Sequence, residues 1–192
     1  MNSVIAEEPV ETIALVDETM SRWKTTGNWQ IKSGVISLDE PVNRKWSIFP
    51  NLKAFLWSDT AYDDFEIDFE FKLPPKGRSG LFVRSSSLSK YLEVQISDTP
   101  PDSKLVDDSC GGLVDCQPPS QHAVKPAGQW NQMVIRMVGN QVNVTLNDQK
   151  VLKADLADYE KESIRKGRLA FQDQGYTIDL RNINIRPIDS SP

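Results

Sequence analysis

Three segments between Phe65 and Asp98 restrict what this chain can fold into more than any other feature. Phe65-Glu-Ile-Asp-Phe-Glu-Phe71 and Tyr91-Leu-Glu-Val-Gln-Ile-Ser-Asp98 alternate apolar and polar residues, and between them lies the short run Gly80-Leu-Phe-Val-Arg84. A period of two sends one set of side chains into a core and the other set to the opposite face, as in a half-buried β-strand. If the three pair as consecutive antiparallel neighbours, Glu66, Asp68, Glu70, Arg84, Tyr91, Glu93 and Gln95 project from one side of one sheet. Carboxylates, a guanidinium, an amide and an aromatic ring on one face suit a surface that binds or cleaves sugars.

The rest of the chain reads the same way. Strands are expected at residues 29–31, 35–38, 53–57, 132–138, 141–146, 167–172 and 176–185, with a short one at 150–152. Gly139-Asn140 sits between two alternating runs where a two-residue hairpin turn belongs, and Asn147-Asp148 marks another turn. A brief charged helix is expected at residues 158–166. Many short strands separated by turn signals predict an all-β fold, a jelly-roll sandwich of two antiparallel sheets. The expected organisation is an N-terminal tail or first edge strand over residues 1–20, one jelly-roll domain over 21–188, and a tail over 189–192. The Pro-rich segment from Thr99 to Gly128 exceeds the length of ordinary connections and is expected to wall one side of a cleft.

Composition excludes several classes. The formal charge of −5, with both signs interspersed, argues against a nucleic-acid surface. No apolar run approaches the roughly 18 residues of a membrane span, and Met1 to Pro9 lacks the basic start and apolar centre of an intact signal. Cys110 and Cys116 are spaced for a disulfide closing a short loop, the reading favoured here over two free thiols. That pairing implies a secreted, periplasmic or cell-surface location, with any signal already removed. With one histidine, His122, and no second cysteine pair, a zinc site is poorly supported.

Several of these segments resemble the 3-keto-disaccharide hydrolase family, also known as DUF1080, whose fold resembles the concanavalin A-like lectins and glucanases. The resemblance runs from Trp29 and Gly34-Val-Ile36 through Phe65 to Lys72, Ser79 to Arg84 and Tyr91 to Asp98. It continues through Lys125-Pro-Ala-Gly-Gln-Trp-Asn131, Leu146-Asn147, Gly167 to Gly175 and Leu180-Arg-Asn-Ile183, so it covers most of residues 29–186. One position departs: the family commonly carries histidine in a Gln-Asp-His-Gly segment where this chain has Gln174. An amide hydrogen-bonds but does not move a proton near neutral pH. Gly112 to Asp115 stands where the family's loop often has a Gly-Ala-Ile-Tyr-like stretch, and the two cysteines are an elaboration of that loop.

The resemblance implies a carbohydrate substrate whose hexose is oxidised to a ketone at C3. That ketone acidifies the C2 hydrogen, so the glycosidic bond breaks by proton abstraction and elimination. Such a site needs a base near C2, a donor or cation at the C3 oxygen and an acid for the leaving oxygen. Glu93 is the expected base, or a metal ligand, with Arg84 holding it or stabilising the enolate and His122 as the acid. Gln95, Tyr91, Asp173, Gln174 and Trp57 are expected to contact substrate. The competing readings are a structural Glu93–Arg84 ion pair across strands and a solvated loop histidine at 122. A divalent ion such as calcium is left open, with Glu93, Asp98, Asp115 and Asp173 as its oxygen donors.

Two other functions compete. Glu66-Ile-Asp-Phe-Glu70 resembles the Glu-x-Asp-x-Glu signature of retaining β-glucanases, although positions i and i+4 of a strand stand roughly 13 Å apart at Cα. A non-catalytic carbohydrate-binding module would use the same polar face without a base. Trp29 and Trp130 are expected in the core, and Trp46 with Trp57 form a candidate stacking platform.

Overall fold

The computed structural model describes residues 11–41, 54–87 and 90–189. Its strands are β1 (Ile13–Ala14), β2 (Trp23–Lys24), β3 (Trp29–Lys32), β4 (Val35–Leu38), β5 (Leu56–Tyr62), β6 (Phe65–Lys72) and β7 (Arg78–Ser87). There follow β8 (Lys90–Ser97), β9 (Asn131–Val138), β10 (Gln141–Leu146), β11 (Gln149–Asp155), β12 (Gly167–Phe171) and β13 (Ile178–Pro187). They form two antiparallel sheets, one in the order β11-β10-β9-β6-β13-β4-β3 with β1 beside β13, the other β2-β5-β12-β7-β8. The protein is the all-β jelly-roll sandwich that its alternation predicts.

Alternation explains the core. Phe65, Ile67, Phe69 and Phe71 of β6 are fully buried while the residues between them are half-buried. Across the sandwich Phe69 meets Phe171 of β12 edge-on, with ring centroids 5.2 Å apart. Burying each such side chain is worth roughly 1.5–3 kcal/mol. Trp23 and Trp29 are buried and place their indole N–H groups on the carbonyls of Leu15 and Ala54, each at 2.7 Å. The Gly139–Asn140 hairpin forms as expected, with Val138 opposite Gln141 and Gly139 at a φ of 55°.

Five expectations are corrected. The strand β6 does not neighbour β7: it pairs with β9 and β13 in the larger sheet, while β7 pairs with β8 and β12 in the smaller one. Period two fixes the face a residue takes within its strand but not the sheet that strand joins. The expected helix at 158–166 is a single 3₁₀ turn, Leu156–Tyr159, opened by the Asp155 side chain and ended by Glu160 at a φ of 56°. Its sequence has no apolar stripe to bury, so nothing extends it. Cys110 and Cys116 are free thiols. The first belongs to the core, where burial pushes its pKa up to about 12, whereas the second is half-exposed. Trp130 lies outside the core, with the Arg181 guanidinium 4.0 Å and the Lys72 ammonium 4.9 Å from its ring centroid. Glu66, Asp68 and Glu70 face outward from the larger sheet, away from Glu93. Glu66 pairs with Arg186 at 2.9 Å and Arg136 at 3.4 Å, Glu70 with Arg181 at 2.6 Å, and Asp68 accepts from Gln132 at 2.9 Å. The acidic signature is therefore a surface ion-pair network, which withdraws the glucanase reading.

The segment after β8 folds back along that strand. Gln95 N–H donates to the Gly112 carbonyl, Gly111 N–H to that of Gln95 and Val114 N–H to that of Glu93, each at 2.9 Å. It thereby covers an edge that would otherwise expose unpaired backbone groups.

Candidate active site

On β8, Leu92, Val94 and Ile96 enter the core, so Tyr91, Glu93, Gln95 and Ser97 take the other face. Leu81 and Val83 of β7, Leu56 of β5 and Leu169 and Phe171 of β12 also point inward. Cross-strand register then sets Trp57 opposite Ala170, Ala170 opposite Phe82, and Phe82 opposite Glu93. A second apolar cluster grows on this outer face from Phe55, Phe82 and Ala170, with Trp57 and Tyr91 as its half-buried rims. Phe82 and Tyr91 stack with centroids 4.4 Å apart and planes inclined by 10°, and Phe55 and Trp57 stack at 6.3 Å.

Glu93 ends this row beside the aromatics and is only 6% exposed. Burial raises its pKa from the ordinary 4.5 to about 7, the charges of Asp108 and Asp115 add to the rise, and Arg78 opposes it. All three neighbours lie on β7 or the segment after β8, and Arg78 pairs with Asp108. Gln174 donates an amide hydrogen to Glu93 Oε1 at 3.5 Å and another to the Gln172 side chain. The carboxylate lies across Gly80, where a Cβ would stand 2.3 Å from Glu93 Oε1. Glycine is required there by that close approach. Gly80→Ala should displace the carboxylate, lower the Glu93 pKa toward 4.5 and leave the sandwich folded, which a carboxyl-resolved NMR titration and a melting curve would check.

The other expected site residues divide. Tyr91, Gln174 and Trp57 fall on or beside this face. Gln95 is 1% exposed and its amide is committed to the backbone carbonyls of Ser79, at 3.0 Å, and Ile96, at 3.3 Å. Asp173 is 1% exposed and accepts the Gly175 N–H at 2.9 Å, so it shapes the turn that presents Gln174. His122 is held by the Ser103 carbonyl at 2.9 Å, and its neighbours Ser120 and Gln121 bond the backbone of Val151 and Lys150 on edge strand β11. Among the described residues no hydrogen bond joins it to Glu93.

Arg84 is the largest correction. It is fully buried, with its guanidinium 2.6 Å from Asp64, 2.7 Å from the Asp63 carbonyl and 2.8 Å from the Gly139 carbonyl. The pairing of β7 with β8 shifts register after Val83, and Arg84 takes a φ of 49°, so its side chain turns away from Glu93 toward the larger sheet. The expected Glu93–Arg84 pair, catalytic or structural, is replaced by an Arg84–Asp64 clamp. Arg78 and Asp108 were not anticipated as neighbours of Glu93, whereas Asp115, offered as a cation ligand, acts on it as a negative charge. Asp98, offered as a cation ligand, accepts the Lys76 N–H at 2.8 Å. Among the described residues no three His, Cys, Asp or Glu side chains gather as a metal set.

The fold is a sandwich of two antiparallel sheets with a buried carboxyl of raised pKa on the outer face of the smaller one. The chain belongs to the 3-keto-alpha-glucoside-1,2-lyase-like domain family, whose profile matches residues 11–186. It is 27% identical to a 3-keto-disaccharide hydrolase of Bacteroides thetaiotaomicron over 67% of this chain, and it spans 60% of that protein's length. A candidate glycosyl hydrolase from Parabacteroides distasonis superposes with a TM-score of 0.76 at 21% identity, covering 93% of this chain and all (100%) of the other. The carbohydrate-binding module CBM66 of Bacillus subtilis superposes at 0.59 with 14% identity, covering 88% and 97%. At these identities the two structures establish the fold alone. No helix among the described residues is long and apolar enough to cross a membrane.

Proposed function

We propose that this protein cleaves the glycosidic bond of 3-keto-glycosides, 3-keto-disaccharides among them, with Glu93 as the base that removes the C2 proton. The observation that carries the reading is the Glu93 carboxyl itself, buried beside an aromatic rim, crossed over Gly80 and titrating about 7. A base matched to the working pH combines a large ionised fraction with real proton affinity. Gln174 orients that carboxyl. Arg78 is the cation that acts on it, and it supplies positive charge for the enolate that forms as C2 loses its proton. Family membership and the hydrolase relative support the same chemistry.

The test is release of 3-keto-glucose from a 3-keto-glucoside such as 3-keto-trehalose by purified protein, with and without chelator. Because the base works ionised, kcat/KM should rise with pH and level off above about 7. Binding of intact glycans without turnover would instead make the protein a carbohydrate-binding module on the same face. A rate that is flat from pH 5 to 9, roughly two units either side of the Glu93 pKa, would remove Glu93 from the base role.

A further inference from the structure

Elimination leaves a glycosidic oxygen that needs a proton, and the expected donor, His122, is held elsewhere by Ser103. Of the groups that touch Glu93 or act on its charge, Arg78 is a guanidinium paired with Asp108, and Gln174 is an amide. Neither gives up a proton in this range. Asp115 acts on Glu93 as a negative charge. Tyr91 remains.

We propose that Tyr91 is the general acid of this site, giving its phenolic proton to the departing oxygen while Glu93 takes the proton from C2; the assignment rests on the elimination chemistry above. Tyr91 and Glu93 are two residues apart on one face of β8, about 6.6 Å at Cα. Stacking on Phe82, the residue opposite Glu93, fixes the Tyr91 ring beside the carboxyl. Tyr91 is half-buried at the edge of the outer apolar cluster, where the face meets solvent. Two groups side by side on one face can reach the C2 hydrogen and the oxygen on the neighbouring C1 of one bound sugar.

The accounting closes without a co-reactant. The C2 proton passes to the Glu93 carboxylate and its electron pair becomes the C1–C2 double bond. The C1–O pair leaves with the glycosidic oxygen, which takes the Tyr91 proton. Free alcohol and an unsaturated keto sugar result, and water then adds across the double bond to give the keto-hexose. Burial, then the charges of Glu93 and Asp115, raise the Tyr91 pKa above 10.0, so the phenolate retrieves the proton that Glu93 has gained. Both groups are then reset.

Tyr91→Phe keeps the stacked ring and removes the proton. Its kcat should be measured on two 3-keto-glucosides of one sugar, an alkyl glucoside and a 4-nitrophenyl glucoside whose oxygen departs without protonation. The expected result is a fall of about 100-fold or more on the alkyl substrate and of less than about threefold on the nitrophenyl one. Equal losses on both would reduce Tyr91 to packing, and no loss on either would remove it from the reaction; each overturns the proposal. Wild-type protein inert toward both would overturn the functional reading itself, and the acid assignment with it.

Discussion

Glu93→Gln is expected to abolish turnover of 3-keto-glucosides and, at the same time, to stabilise the protein above neutral pH. The activity loss should be about 10²–10⁴-fold in kcat/KM, the usual contribution of a positioned base. The stability gain follows from linkage. Glu93 titrates about 7 in the folded protein against 4.5 ordinarily, so the folded state binds the proton more tightly than the unfolded one. Its contribution is therefore most favourable below about pH 4.5, diminishes as pH rises to about 7, and is lost above that. The full step corresponds to roughly 3 kcal/mol, an order-of-magnitude figure for a group that is only 6% exposed. Glutamine keeps the shape and removes the charge, so melting temperatures of variant and wild type should coincide near pH 4 and diverge by pH 8, with the variant higher. A variant that is less stable at pH 8 would mean that the carboxylate is well solvated or well paired.

Arg84→Met should be the most destabilising single change at a charged residue. It leaves the Asp64 carboxylate buried at 4% side-chain exposure and strips hydrogen bonds from the carbonyls of Asp63 and Gly139. Breaking one partner of a buried pair costs about 3–5 kcal/mol, to be read from urea unfolding midpoints at constant slope. Asp64→Asn should cost less, because Arg84 keeps both backbone carbonyls and Asp63 at 4.0 Å. If Arg84 instead served the reaction, Arg84→Met would lose activity in protein that still melts normally. The clamp has a second requirement at Gly167, where a Cβ would come within 2.3 Å of the Arg84 backbone. Only a residue without a side chain lets β12 approach the turned-out strand so closely.

Legibility of the fold and of the site differed for physical reasons. Alternation in β6 and β8 is a local property, and it correctly assigned Phe65, Ile67, Phe69, Phe71, Val94 and Ile96 to the core and Glu93 to the opposite face. The hairpin at Gly139 was legible because turn chemistry acts over two residues. Neither signal carries pairing information. The sheet to which β6 belongs depends on long-range contacts with β9 and β13, with paired residues such as Phe71 and Asn131, or Phe65 and Pro187, far apart in sequence. Hence Glu66, Asp68 and Glu70 were assigned to Glu93's face and lie on the other sheet. Arg84 failed for a different reason: a shift in β-register breaks the period of two, and nothing in Gly80 to Arg84 announces it. Trp46 falls outside the described residues, so half of the expected tryptophan platform has no counterpart to compare.

The sequence by itself determined the class of fold, most strand positions, the family and the face of its strand on which Glu93 lies, because each of these follows from short-range pattern. Tertiary structure alone decided what surrounds that side chain. Only the packed sandwich shows Glu93 desolvated beside Gly80, flanked by Asp108, Asp115 and Arg78, touched by Gln174 and separated from Arg84 and His122. The pKa of a carboxyl is set by the charges and the solvent within a few ångströms of it, and those neighbours come from residues far apart along the chain.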